Sequence, residues 1–169
     1  MWANASFSQV LRSTATNQFT ARASGGVRFF TDTQATTGAE LAPGSGSWSS
    51  LSDRAAKDDV RPVDGRAVLE RLARVPLNTW RYKTQAPEVR HVGPMAQDFH
   101  AAFGVGEDDR HISSVDADGV GLAAIQGLNQ KLEATLNERD AKIAALEKRL
   151  AAMEQLMESS APQPNRGAK

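Results

Sequence analysis

The chain has 169 residues, 40% of them hydrophobic and 24% charged, with 13 Gly, 7 Pro and no Cys. One compact domain with appendages fits this length, while a disulfide scaffold and a cysteine-ligated metal site are excluded. Twenty Lys plus Arg balance twenty Asp plus Glu, so the long-range field that non-specific nucleic-acid or anionic-membrane binding uses is missing. Neither nucleic acid nor membrane is therefore an expected partner. The first thirty residues show no cationic region followed by an apolar one, and no apolar run is long enough to span a bilayer.

From Met1 to about Ser50 the chain is rich in Ser, Thr, Ala and Gly and reads as short strands and turns. Phe19, Ala21 and Ala23 alternate with Thr20, Arg22 and Ser24 before Gly25-Gly26, after which Val27 and Phe29 alternate with Arg28 and Phe30. That pattern predicts a hairpin with a Gly-Gly turn. An isolated hairpin is marginal in water, so further strands, from other chains, are expected to stack on it. Pro43, Gly44 and Gly46 then mark a turn-rich junction between Leu41 and Leu51.

The segment 52–115 reads as a small α+β core. A short helix is predicted after Asp64, with Val68, Leu69, Leu72 and Val75 at helical spacing and Pro76 as its stop. Strands are predicted at Leu77–Lys83 and around His91–Met95, and a second helix over Ala96–Phe103, ended by Gly104. From Asp116 or Asp118 as N-cap, one long helix is predicted to run to 158. Its apolar positions are Ile125, Leu128, Leu132, Leu136, Ile143, Leu146, Leu150, Met153 and Met157; with Arg139 as the missing member they step 3, 4, 4, 3, 4, 3, 4, 3, 4. This is a heptad seam with one stutter, hence a self-associating coiled coil, whose mixed Leu and Ile do not choose between two, three and four strands. The tail 159–169 is expected to be disordered.

Candidate chemistry is sparse. His91, His100 and His111 lie in no metal-binding spacing, and Gly104-Val105-Gly106 lacks the rest of a dinucleotide loop. No cofactor and no metal is expected. In Ser52-Asp53-Arg54-Ala55-Ala56-Lys57 a hydroxyl and an amine stand five residues apart, close enough to meet across a turn. A serine needs a base to take its proton, and a desolvated lysine can be that base. The structural alternative is that Ser52 or Asp53 caps a short turn while Lys57 is solvated.

The order of parts adds to this. Ser52-Asp53-Arg54, then Lys57-Asp58-Asp59-Val60-Arg61-Pro62-Val63-Asp64-Gly65, Trp80-Arg81-Tyr82-Lys83, His91-Val92-Gly93-Pro94-Met95-Ala96-Gln97-Asp98-Phe99 and Ala123-Ala124-Ile125-Gln126-Gly127-Leu128 follow one another into the coiled coil. This series resembles the peptidase S74 family, the C-terminal intramolecular chaperone domain of phage tail spikes, tail fibres, endosialidases and related bacterial surface proteins. The resemblance runs from Leu51 to about Leu150, and Asn17–Phe29 looks like the end of the β-rich stalk that precedes such domains. It implies an α+β domain at 52–158 whose helix, 116–158, forms a homotrimeric coiled coil, with 1–51 as the stalk remnant and folding client. It also implies a single-turnover serine endopeptidase, with Ser52 as nucleophile, Lys57 as general base and Leu51-Ser52 as the bond cut. Asp53 belongs to the motif, with turn-holding as its structural role. Departures are Ala55-Ala56 before the lysine and Asp58-Asp59 after it. A virion tail fibre or a bacterial surface is the implied location. Two alternatives stand beside this: a non-cleaving trimeric stalk cap, and a coiled-coil adaptor for an unrelated partner.

Overall fold

A computed structural model of the chain describes residues 2–3 and 10–160. It divides into two units, Met1–Pro62 and Val63–Lys169.

In the first unit the strands are short because small residues and Gly interrupt every apolar alternation. β1 (Trp2–Ala3) pairs in parallel with β2 (Ala21–Arg22). β3 (Val27–Phe30), β4 (Gly38–Leu41) and β5 (Ser49–Ser50) form an antiparallel sheet in that order. The expected hairpin across Gly25-Gly26 is thus replaced by a different one. Gly26 does turn the chain, at φ +88 with its N–H bonded to the Ala23 carbonyl at 3.0 Å, but β3 finds its partner downstream in β4. Two contacts favour that choice: Arg28 pairs with Glu40 directly across the ladder at 3.3 Å, and Asp32 closes the connecting loop by accepting the N–H groups of Thr36 and Thr37 at 3.0 and 3.1 Å. The junction also holds a strand that its glycines concealed: β5 returns along β4 after a turn at Pro43-Gly44, and Trp48 reaches Phe29 with ring centroids 5.7 Å apart.

In the second unit, α1 (Gly65–Leu72) starts where Asp64 accepts the N–H groups of Arg66 and Ala67 at 3.0 and 3.1 Å. β6 (Asn78–Trp80) and β7 (His91–Gly93) form an antiparallel pair. α2 (Ala96–Phe103) ends at Gly104, whose φ of 64 is the left-handed conformation of a helix stop. α3 (Ser114–Ser160) is a 47-residue helix, about 70 Å at 1.5 Å per residue. It begins two residues before the expected cap: Ser113 accepts the Val115 N–H on its hydroxyl at 3.2 Å, leaving Asp116 in the first turn, where the helix dipole favours an acid. Ser159 and Ser160 are helical; the rest of the expected disordered tail, 161–169, lies outside the described residues.

The fold is therefore mixed α/β, with small sheets and a long C-terminal helix. Its core is small: Val75, Phe99 and Ala124 are the buried hydrophobic residues among those described. α1 crosses α3 at a glycine pair, where a Cβ built on Gly127 would sit 2.0 Å from the Gly65 carbonyl oxygen and one on Gly65 2.7 Å from that of Ala123. Only hydrogen atoms fit at that crossing. Gly127→Ala is expected to lower stability by about 1–3 kcal/mol despite the better helix propensity of Ala. Gly119→Ala, which meets nothing within 4 Å, should be neutral or stabilising. Denaturant midpoints of the two variants check this, and a Gly127→Ala chain as stable as Gly119→Ala would refute the close crossing.

Candidate functional site

The site begins at the edge of the first unit's sheet. Leu51 donates its N–H to the Gly38 carbonyl at 3.0 Å, directly after β5. The next residues form one 3-10 turn, Arg54–Ala56. Asp53 caps it: its backbone is extended, and its carboxylate accepts the Ala55 N–H at 2.9 Å. The Asp53 and Arg54 carbonyls accept the N–H groups of Ala56 and Lys57, each at 3.2 Å. The turn reverses the chain, and Lys57 Nζ donates to Ser52 Oγ at 2.6 Å. A spacing of five suits no pair on a regular α-helix, but it suits a single tight turn flanked by extended residues.

Ser52, Asp53 and Lys57 are all exposed. The two acids after the lysine are engaged elsewhere: Asp58 accepts the Asp59 N–H at 2.7 Å, and Asp59 accepts from Arg61 Nε at 2.8 Å. The structure thus brings Ser52 and Lys57 together and gives Asp53 the turn-holding contact. Sequence reasoning missed Gly38, whose carbonyl anchors Leu51; its only signal was a glycine following the polar loop 31–37. The amine–hydroxyl contact has two protonation forms. As an ammonium Lys57 donates to the hydroxyl, and as a free amine it accepts the hydroxyl proton, the direction that a nucleophilic serine needs.

Each histidine has a local structural partner. His91 Nε2 lies 3.0 Å from Gln85 Oε1 and its ring stacks 4.7 Å from Trp80. His100 Nδ1 lies 3.1 Å from the Val105 carbonyl. His111 Nδ1 lies 2.9 Å from an Asp108 carboxylate oxygen. Among the described residues, no group of three or more His, Asp or Glu is placed to hold a metal ion.

Asp108 also accepts the N–H groups of Arg110 and His111 at 2.8 and 2.9 Å. The Arg110 N–H first, then His111, hold its carboxyl below the ordinary value of 3.8. A lowered folded-state pKa contributes order that is fully present above 3.8 and is lost as pH falls through the lowered value. An NMR titration of the Asp108 carboxyl should therefore give a midpoint below 3.8, with the Arg110 and His111 amides shifting in step. A midpoint at or above 3.8 would remove these bonds from the solution structure.

No curated protein and no solved structure matches the chain. The Peptidase_S74 family, described as chaperone of endosialidase, matches residues 52–105. The match starts at the serine that closes on Lys57 and ends beyond α2, so it takes in the turn, the first two helices and the β6–β7 pair. This match and the order of the motifs support the assignment of residues 52–105 to the Peptidase_S74 family, described as chaperone of endosialidase.

Proposed function

We propose that the chain is a trimerising intramolecular chaperone that assists folding of the β-rich segment preceding Ser52 and then releases itself by cutting Leu51-Ser52. The observation that carries this reading is the 2.6 Å contact between Lys57 Nζ and Ser52 Oγ, one residue beyond the last hydrogen bond of the strand segment. Ser52 Oγ attacks the Leu51 carbonyl carbon, in the same chain or in a neighbouring one, while Lys57 takes the hydroxyl proton. The C–N bond breaks, the nitrogen leaves as the amine of Ser52 after accepting a proton, and Leu51 is left as an ester. Water then hydrolyses that ester to a Leu51 carboxylate and a free hydroxyl.

Both groups are exposed in the single chain, and a lysine that acts as base must be desolvated. Assembly supplies the missing cover in this reading, since the seam of α3 is apolar and open to solvent along its length. Assembly first also suits a stalk client. Strands drawn from several chains pair slowly and expose edges, and a coiled coil that fixes their ends raises their effective concentration. Once the trimerising element has left, unfolding is hard to reverse and the product is kinetically trapped.

The same exposure favours one second reading, a trimeric stalk cap that never cuts. Intact mass separates the two. In the cleaving reading the unmodified chain yields residues 52–169 as a fragment, and Ser52→Ala does not; an uncut chain in both samples selects the cap.

Lys57→Met should slow cleavage by about 100-fold or more, the scale of a lost general base, while leaving trimers intact by light scattering. Cleavage at the parent rate would take Lys57 out of the mechanism. Replacing Leu146 and Leu150 with Asp should abolish assembly, and cleavage with it; efficient cutting by a monomer would break that coupling.

A further inference from the structure

The second half of α3 presents an apolar groove lined by Ile143, Leu146, Leu150 and Met153, with Glu147 and Arg149 on its flanks. The seam spacing from Leu136 to Met157 alternates three and four, which makes Leu136, Ile143, Leu150 and Met157 a positions and Arg139, Leu146 and Met153 d positions. The positions beside the seam are then segregated by charge. Every e position is acidic, Asp140, Glu147 and Glu154, while the g positions after Thr135 carry Lys142 and Arg149 before Leu156. Lys142 makes an exposed pair with Glu138 at 2.6 Å, and no side-chain hydrogen bond or ion pair within the described residues engages Arg139, Asp140, Glu147, Arg149 or Glu154.

We infer that, among parallel copies of the chain in this seam, Arg139 against the partner's Asp140 is the layer that fixes the register. The inference rests on the self-association proposed above and deepens it. In a parallel in-register pair a g residue faces the e residue five positions on, so Lys142 meets the partner's Glu147 and Arg149 the partner's Glu154. In an antiparallel pair g faces g and e faces e, which sets Lys and Arg against one another and acid against acid. Arg139 then selects the register among parallel pairs. The hole that receives a d knob is flanked on the facing helix by an e residue, so in register the guanidinium reaches a carboxylate. A slip of one heptad would put it in the layer of Leu146; the adjacent e acid would still be near, but the other Arg would no longer share one layer and a second apolar layer would be spoiled.

The test uses the absence of cysteine from the natural chain. In Met157→Cys, a parallel in-register coil brings the thiols of different copies into one layer, and a disulfide should join two of the three copies of each trimer in a glutathione redox buffer, so that about two thirds of the chains run as linked dimers. In the unaltered seam, Arg139→Asp and Asp140→Arg should each weaken association about tenfold or more by sedimentation, and the double swap Arg139→Asp with Asp140→Arg should recover most of that loss. Recovery by the swap is a readout that altered helix propensity would not produce. Oligomers that persist without linking through the introduced thiol overturn the parallel geometry, and a swap no tighter than the single variants overturns the Arg139–Asp140 layer; in both cases self-association stands. A parent chain that stays monomeric removes the self-association reading and this inference together.

Discussion

Apolar surface that one chain cannot bury is the constraint on which the rest of this structure depends. Val75, Phe99 and Ala124 are the hydrophobic residues that the described chain buries, while the seam residues from Ile125 to Met157 stand 48–73% exposed. Helices of this kind are held mainly by packing of an apolar face, not by intrinsic propensity. α1 covers α3 over its first turns up to the Gly65–Gly127 crossing, so among the described residues the distal turns have no support from their own chain. Under the proposed assembly, folding and association are one process, and stability depends on the concentration of copies. The glycine crossing matters for the same reason. By bringing two backbones together, it ties the small α+β core to the start of the helix that carries the association surface.

The position of Ser52 gives the proposed cleavage a structural condition. Leu51 is held by the Gly38 carbonyl, and Gly38 belongs to β4, the central strand of the three-stranded sheet. The carbonyl to be attacked is therefore fixed only when β4 and β5 are paired. On the other side, the Asp53 cap and the 3-10 turn hold Lys57 over Ser52 through contacts at most five residues apart. In the proposed reaction the nucleophile and base would form locally, whereas the bond they would act on is presented by the folded sheet. A chaperone that cuts after its client has folded needs that asymmetry.

What was legible in the sequence follows the range of the interactions concerned. α1 and α2 were readable because their limits are local: the Asp64 cap, Pro76, and Gly104 in its left-handed conformation. The β6–β7 pair lies within the strand-like stretches expected at Leu77–Lys83 and around His91–Met95, each strand being three residues long. The hairpin at Gly25-Gly26 was misjudged because alternation shows that a strand forms but not which strand it pairs with; Arg28 with Glu40 and the Asp32 loop decided that, across ten or more residues in the first case. β5 was hidden because a two-residue strand among Ser and Gly has no periodicity to show. The start of α3 was placed too late because Asp116 and Asp118 both suit a cap, whereas Ser113, just upstream, holds the first turn. At the site, the five-residue spacing raised Ser52 and Lys57 as a pair, and the cap role of Asp53 was the structural alternative. The anchor at Gly38 was illegible, being a backbone contact with no side chain to mark it.

The zero formal charge of the chain has two consequences that composition alone does not separate. It argues against a polyanionic partner, and it also removes the self-repulsion that keeps strongly charged proteins apart. Copies of a neutral chain can meet at close range, where the arrangement of charges, not their sum, decides the outcome. Along α3 the acids at 140, 147 and 154 and the bases at 142 and 149 lie on opposite sides of one apolar stripe. Hydrophobic contact would then supply most of the attraction without distinguishing directions, since a leucine seam packs in either orientation. In the inferred assembly the flanking charges and the single arginine in the seam would supply the distinction, at a cost in stability that an all-leucine seam would not bear. If the proposed task is to hold other strands in register, a single arrangement of its own helices is worth more to the module than the last increment of their stability.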